Sequence, residues 1–233
     1  MESPVIAALD VPTTKEALEL VEALSGAVGA FKINHQLFVS AGPEVVGRIH
    51  EKSERVLLDL EFNGTPNTVV EAVKAATRHR IWALTIHIGG DLKMMKAAKA
   101  AAQTAGQKSG VCPLVVGVAV LTSSDDDILH AHGIPSTTTD LVRRMTGLAM
   151  RAGLDALICP PQEVAAVRNL VPREVQLMVP GIRSLGEDKH GHKQTRTPKE
   201  AVEGGANWLI IGRPIYAAKN PRQAAEQILA TLA

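Results

Sequence analysis

The sequence predicts a single α/β domain over residues 1–233, folded as an eight-stranded (β/α)8 TIM barrel. Short apolar, β-branched runs alternate with longer amphipathic stretches from one end of the chain to the other. A length of 233 residues suits one such barrel, which typically takes about 250. No linker, low-complexity segment or compositional break divides the chain. A doubly wound open sheet is the alternative at this length, but eight βα units favour closure.

The strand candidates are Val5–Asp10, Ala30–Asn34, Arg55–Glu61, Ala83–Ile88, Pro113–Val120, Ala156–Cys159, Gln176–Ile182 and Trp208–Gly212. Each is short and almost wholly apolar, as a parallel strand covered on both faces must be. Between them Thr13–Leu24, Pro66–Arg78, Leu92–Ala105, Thr138–Ala152 and Gln162–Leu170 carry helical periodicity. Pro221–Ala233 closes the chain with a proline in the first turn, where its missing N–H costs nothing. Two connections are longer. Ser123–Thr137 follows the fifth strand, with a short helix expected from Asp125, and Arg183–Thr197 follows the seventh. Both lie on the face where barrel enzymes keep their chemistry.

Apolar residues make up 45% and aromatics only 3%, so aliphatic side chains are expected to fill the interior. The 25 basic and 24 acidic residues nearly cancel and form no basic block, which argues against a nucleic-acid partner. Cys112 and Cys159 lie far apart in apolar runs, suggesting buried thiols in a reducing compartment rather than a disulfide or zinc site. The chain opens on Val5-Ile6-Ala7-Ala8-Leu9-Asp10 with no charged leader, and no apolar segment is long enough to span a bilayer. A soluble, cytoplasmic protein without cofactor is the expectation.

Charged and polar residues at the ends of apolar strands need a reason. Asp10, Lys32, Asp59, Glu61, His87, Ser123, Arg183 and Arg213 all fall there. Asp59 and Glu61 are two apart and so share a strand face, where Lys32 on the neighbouring strand could join them. A structural Lys32–Asp59 ion pair is the plainer reading, and His87 reads as a hydrogen-bonded structural residue. A hard cation on Asp59 and Glu61 is less favoured because spacing supplies no third ligand. Gly212-Arg213-Pro214 suggests a phosphate site, where glycine admits a backbone N–H and arginine offers a fork of donors. Lys189–Arg196 adds basic and amide groups upstream.

Together these stretches resemble the orotidine 5′-monophosphate decarboxylase family. Leu58-Asp59-Leu60-Glu61-Phe62-Asn63-Gly64-Thr65-Pro66-Asn67-Thr68 corresponds to the family's Leu-Asp-Leu-Lys-Phe-His-Asp-Ile-Pro-Asn-Thr. Ala8-Leu9-Asp10, Phe31-Lys32-Ile33-Asn34, Val120-Leu121-Thr122-Ser123, Val179-Pro180-Gly181-Ile182-Arg183 and Ile211-Gly212-Arg213-Pro214 match in order. The resemblance implies that Asp10 holds a ribose hydroxyl and Lys32 sits beside the ribose and scissile group. It gives Ser123 to the pyrimidine, Pro180 to the ring pocket, and Gly212 with Arg213 to the phosphate. His192, or Gln194 two residues on, aligns with the glutamine of the family's phosphate loop. It also implies a homodimer with shared sites, Thr68 reaching into the partner's.

The sequence departs from the family at its Asp-x-Lys-x-x-Asp array. Glu61 replaces the lysine that stabilises and protonates the carbanion, and Gly64 replaces the second aspartate. Lys32, Asp59, Glu61 and Gly64 together carry a net −1 where the family's two Lys and two Asp cancel. The first expectation is a diverged enzyme acting on a nucleoside or ribose 5′-phosphate, with Lys32, Asp59 and Glu61 as altered acid/base machinery and Lys32 orienting Glu61. The alternatives are an orotidine 5′-monophosphate decarboxylase with compensated or impaired catalysis, and a non-catalytic nucleotide-binding homologue.

Overall fold

Eight parallel strands close a barrel in chain order, the last pairing with the first. This is a computed structural model that describes residues 3–52, 54–121, 123–183 and 195–232. The strands are β1 (Val5–Ala8), β2 (Ala30–Ile33), β3 (Val56–Phe62), β4 (Ala83–His87), β5 (Leu114–Val118), β6 (Ala156–Ile158), β7 (Gln176–Val179) and β8 (Trp208–Ile211). The helices are α1 (Thr14–Leu24), α2 (His35–Ala41), α3 (Glu44–His50), α4 (Pro66–Thr77), α5 (Leu92–Ser109), α6 (Asp126–Ala131), α7 (Thr138–Ala152), α8 (Val164–Arg168), α9 (Pro198–Glu203), α10 (Arg213–Tyr216) and α11 (Pro221–Ala230). Eight of the eleven described helices start where Thr, Asp or Asn caps them. Thr13, Asn34, Asp91 and Thr137 each accept an N–H of the first turn, worth about 1 kcal/mol apiece.

Alternation along the strands divides the core in two. Ile6, Ala8, Ala30, Leu57, Ala83, Val116, Val118, Ala156, Ile158, Met178 and Ile210 pack together inside the barrel. The intervening residues, such as Val5, Ala7, Phe31, Leu58 and Leu84, pack against the helices. Aliphatic side chains fill the middle as expected, but the amino-terminal end is closed by aromatics. Trp82 and Trp208 meet edge to face at 4.9 Å, and Trp208 Nε1 donates to Gln176 Oε1 at 2.6 Å.

Every strand starts within one residue of its expected position, and all but β3 end one to three residues early. Asp10, Asn34 and Pro180 fall in these tails: the apolar run outlasts the hydrogen-bond ladder and continues into the barrel mouth. The segment between β2 and β3 holds two short helices that periodicity did not isolate, since Gly42-Pro43 breaks the pattern between them. The helix expected over Gln162–Leu170 shrinks to α8. Among the described residues no helix is long and apolar enough to cross a membrane.

Candidate active site

The inward-facing set of each strand runs on into polar residues at the carboxyl-terminal end. Lys32 is two beyond Ala30, Asp59 two beyond Leu57 and Thr85 two beyond Ala83, so all three turn to the barrel axis. Lys32 Nζ lies 3.0 Å from Asp59 Oδ2 and 3.6 Å from Asp10 Oδ1, with side chains 11%, 15% and 34% exposed. Burial pushes the Lys32 pKa down, but the two carboxylates outweigh it and hold the ammonium above its usual value. Lys32 is therefore a fixed cation held by two anions, more than the simple pair with Asp59.

Asp10 is held from a second side. Asn34 Nδ2 donates to Asp10 Oδ1 at 2.8 Å, while Asn34 Oδ1 caps α2 by accepting the Leu37 N–H at 3.0 Å. On the far side a Cβ on Gly212 would stand 3.1 Å from Asp10 Oδ2. Glycine there lets the second carboxylate oxygen stay open to the mouth.

Glu61 corrects one expectation. Regular alternation placed it beside Asp59 on one flat strand face, with Lys32 orienting it. Instead the β3–β4 register shifts between Leu58 and Phe62, and Glu61 has φ +45°, a left-handed backbone unusual for a side-chain-bearing residue. The fully buried Thr85 hydroxyl takes up the slack: it accepts the Glu61 N–H at 2.8 Å and donates to Asp59 Oδ1 at 3.0 Å. Among the described residues Lys32 makes ion pairs with Asp10 and Asp59 and none with Glu61. Burial, then the charge of Asp59, raise the Glu61 pKa; His87, His35 and, least, Lys32 pull it back. The two carboxylates thus still feel each other, and Glu61 holds its proton more tightly than an ordinary carboxylate does.

A stability prediction follows from that direction. The folded chain binds the Glu61 proton more tightly than the unfolded chain, so stability falls as pH rises from the ordinary carboxylate pKa through the raised one. Glu61→Gln abolishes this loss. Melting temperatures of variant and parent should diverge in the variant's favour across that window and run parallel above it; parallel curves throughout would show that Glu61 is not perturbed.

A cavity of about 140 Å³ opens at the mouth, with Asp10, Lys32, Pro180, Gly212 and Arg213 on its wall. Five of the residues expected in the site thus meet in one place, and Asp59 and Glu61 join through Lys32 and Thr85. Arg183 also lines it, buried, with Nη1 donating to the Ile182 carbonyl at 2.6 Å. Tyr216 stands near: burial and then the charge of Asp10 raise its phenol pKa, while Arg213 and Arg183 lower it. Larger grooves of about 390 and 530 Å³ lie between α4 and α5 and at the amino-terminal face, and neither contains a charge from the carboxyl-terminal end of a strand.

Ser123 and Thr68 do not line this cavity. Ser123 is exposed beyond β5, and Thr68 sits exposed in the first turn of α4, its hydroxyl 2.9 Å from that of Thr65. His192 and Gln194 lie outside the described residues. His87 Nδ1 accepts the Gly89 N–H at 2.9 Å, as a structural histidine does. No group of three metal-ligating side chains occurs among the described residues, so Asp59 and Glu61 gain no third ligand. Cys159 is buried, its thiol pushed up to about 12 by burial; Cys112 is exposed, against the expectation of two buried thiols. Asn34, Thr85 and Tyr216 were missed as site residues. Asn34 and Thr85 gave a readable signal, since Asn34 is a polar residue just past the end of apolar β2 and Thr85 one in the middle of apolar β4.

Residues 3–228 match the family model described as Orotidine 5'-phosphate decarboxylase / HUMPS family. An orotidine 5'-phosphate decarboxylase of Pseudomonas fluorescens is 38% identical over 232 residues, covering 100% of this chain and 98% of that protein. One from Actinobacillus succinogenes is 38% identical over 233 residues, covering 100% and 99%. Among solved structures, orotidine 5'-phosphate decarboxylase from Lactobacillus acidophilus superposes with a TM-score of 0.85 at 28% identity, covering 99% of both chains.

Proposed function

Because the chain belongs to the orotidine 5'-phosphate decarboxylase / HUMPS family, we propose that it decarboxylates orotidine 5′-monophosphate in pyrimidine biosynthesis, slowly, with the Glu61 carboxyl as proton donor. The observation that carries this reading is the fixed Asp10–Lys32–Asp59 array on the wall of the cavity that also holds Gly212 and Arg213. It keeps a buried cation where the substrate's carboxylate leaves, with a glycine and an arginine spaced for a phosphate.

In this mechanism Asp10 accepts a ribose hydroxyl and Arg213, with the Gly212 backbone, holds the phosphate. Pro180 lines the ring pocket, Ser123 meets the pyrimidine, and His192 or Gln194 closes over the phosphate. Two copies pair as a cytoplasmic homodimer, each Thr68 serving the other's site. The bond from C6 to the carboxyl group breaks, carbon dioxide leaves, and the electron pair stays on C6 facing Lys32. The Glu61 carboxyl gives its proton to C6 and is recharged from water. Its raised pKa makes that form more available than in an ordinary carboxylate.

The same raised pKa and the net −1 of the array favour a second reading, acid/base chemistry on another nucleoside or ribose 5′-phosphate. The names of the curated relatives weigh toward decarboxylation, and a non-catalytic nucleotide sensor has no comparable support. Titration with uridine 5′-monophosphate, paired with an ultraviolet assay of orotidine 5′-monophosphate decarboxylation, separates them. We expect binding and measurable turnover, with turnover lost in Glu61→Ala. Binding without turnover would move the reading to another phosphorylated substrate, and unchanged turnover in Glu61→Ala would remove Glu61 from the chemistry.

A further inference from the structure

We propose that Asn34 is a positioning residue for sugar recognition: its side-chain amide locks the Asp10 carboxylate in the orientation that receives a ribose hydroxyl. The inference rests on the reading of Asp10 as the ribose acceptor and goes beyond it by naming what makes that acceptor selective.

The amide of Asn34 works at both ends. Its oxygen must accept, because it caps α2 through the Leu37 N–H at 3.0 Å. That requirement fixes which way the amide faces and leaves only its donor end for Asp10. Nδ2 meets Asp10 Oδ1 at 2.8 Å, whereas Lys32 Nζ stands off the same oxygen at 3.6 Å. Lys32 is drawn the other way, to Asp59 at 3.0 Å. The short, directional contact on Asp10 is therefore the amide, and the ammonium supplies charge without setting the angle.

With Oδ1 held, Oδ2 takes a definite place beside Gly212, where any side chain would come within 3.1 Å of it. A carboxylate one-third exposed and bound at one oxygen would otherwise turn freely. The loop that carries Asp10 is tied to the same helix at its other end, since Ser40 Oγ donates to the Pro12 carbonyl at 2.9 Å. Residues 10–12 and α2 thus form one braced unit.

The test compares uridine 5′-monophosphate with its 2′,3′-dideoxy analogue by calorimetric titration, in the parent chain and in Asn34→Ser. Serine keeps a cap acceptor for α2 but cannot reach Asp10 with a donor. The parent should prefer the ribonucleotide. Asn34→Ser should lose about tenfold of that preference, with affinity for the dideoxy analogue unchanged. Asn34→Asp, which keeps the cap and the size of the side chain but offers no donor, should lose the preference as well. Equal weakening of both ligands would mark Asn34 as merely structural and overturn the proposal, as would a preference retained in both variants. A parent chain that binds both nucleotides equally, or neither, would overturn the reading of Asp10 and the proposal together.

Discussion

Orotidine 5′-monophosphate turnover should rise by at least about 10²-fold when Glu61→Lys is combined with Gly64→Asp. The gain comes from charge. Lys32, Asp59, Glu61 and Gly64 now carry a net −1, so an ionised Glu61 repels both the substrate carboxylate and the electron pair left on C6. A lysine at 61 reverses that term. A correctly placed charge or donor at a developing anion is worth about 10²–10³-fold in rate. The backbone permits the exchange: φ +45° at position 61 is already borne by a long side chain, so lysine adds no new strain there. At Gly64 a Cβ would find room, 3.8 Å from the Thr68 Cβ, but φ +159° there is a backbone that side-chain-bearing residues rarely adopt, so Gly64→Asp carries a strain that offsets part of its gain. The single Glu61→Lys change should capture part of the gain, because Asp59 remains beside it as a partner. The comparison is of kcat/KM for the single and double variants. A fall in the single Glu61→Lys variant, which leaves Gly64 untouched, would show that position 61 does not face the carbanion, and would favour the altered acid/base reaction.

Lys32→Ala should abolish turnover and lower stability together. Its ammonium is the one cation paired with both Asp10 and Asp59 among the described ion pairs. Removing it leaves two carboxylates facing each other in a partly buried site. Breaking a buried pair costs about 3–5 kcal/mol, and Asp10's exposure puts this case near the lower figure. For a chain of this length about 3 kcal/mol corresponds to a fall of roughly 6–12 °C in Tm. Turnover should fall by about 10²–10³-fold, since the proposed mechanism loses the cation that faces the departing carboxylate. A variant that stays active would remove Lys32 from the mechanism; one that melts like the parent would show that the carboxylates are solvated well enough to stand alone.

The barrel was legible because parallel strands buried on both faces have no polar positions to blur them, and Val56-Leu57-Leu58 or Leu209-Ile210-Ile211 admit little else. The same purity made Asp10, Lys32 and Asp59 stand out, and Gly212-Arg213 fell on the cavity wall with Pro180. What could not be read was set by neighbours in space. The bulge that reorients Glu61 depends on the β3–β4 register and on one threonine hydroxyl 24 residues away in sequence. Period-2 alternation cannot foresee that shift. Asn34 is legible as a polar strand-end residue, but its partner is not, because the bond to Asp10 joins the ends of two paired strands 24 residues apart in sequence.

The most direct test of the account is the pH dependence of orotidine 5′-monophosphate decarboxylation in the parent chain and in Glu61→Gln. If the neutral Glu61 carboxyl gives the proton, turnover in the parent holds at low pH and falls as pH rises through a value above the ordinary carboxylate range. Glu61→Gln, which keeps the shape and cannot give a proton in that way, should be slow at every pH and should lack that limb. The same falling limb in both proteins, at undiminished rate, would contradict the account and place the proton donor elsewhere in the barrel mouth.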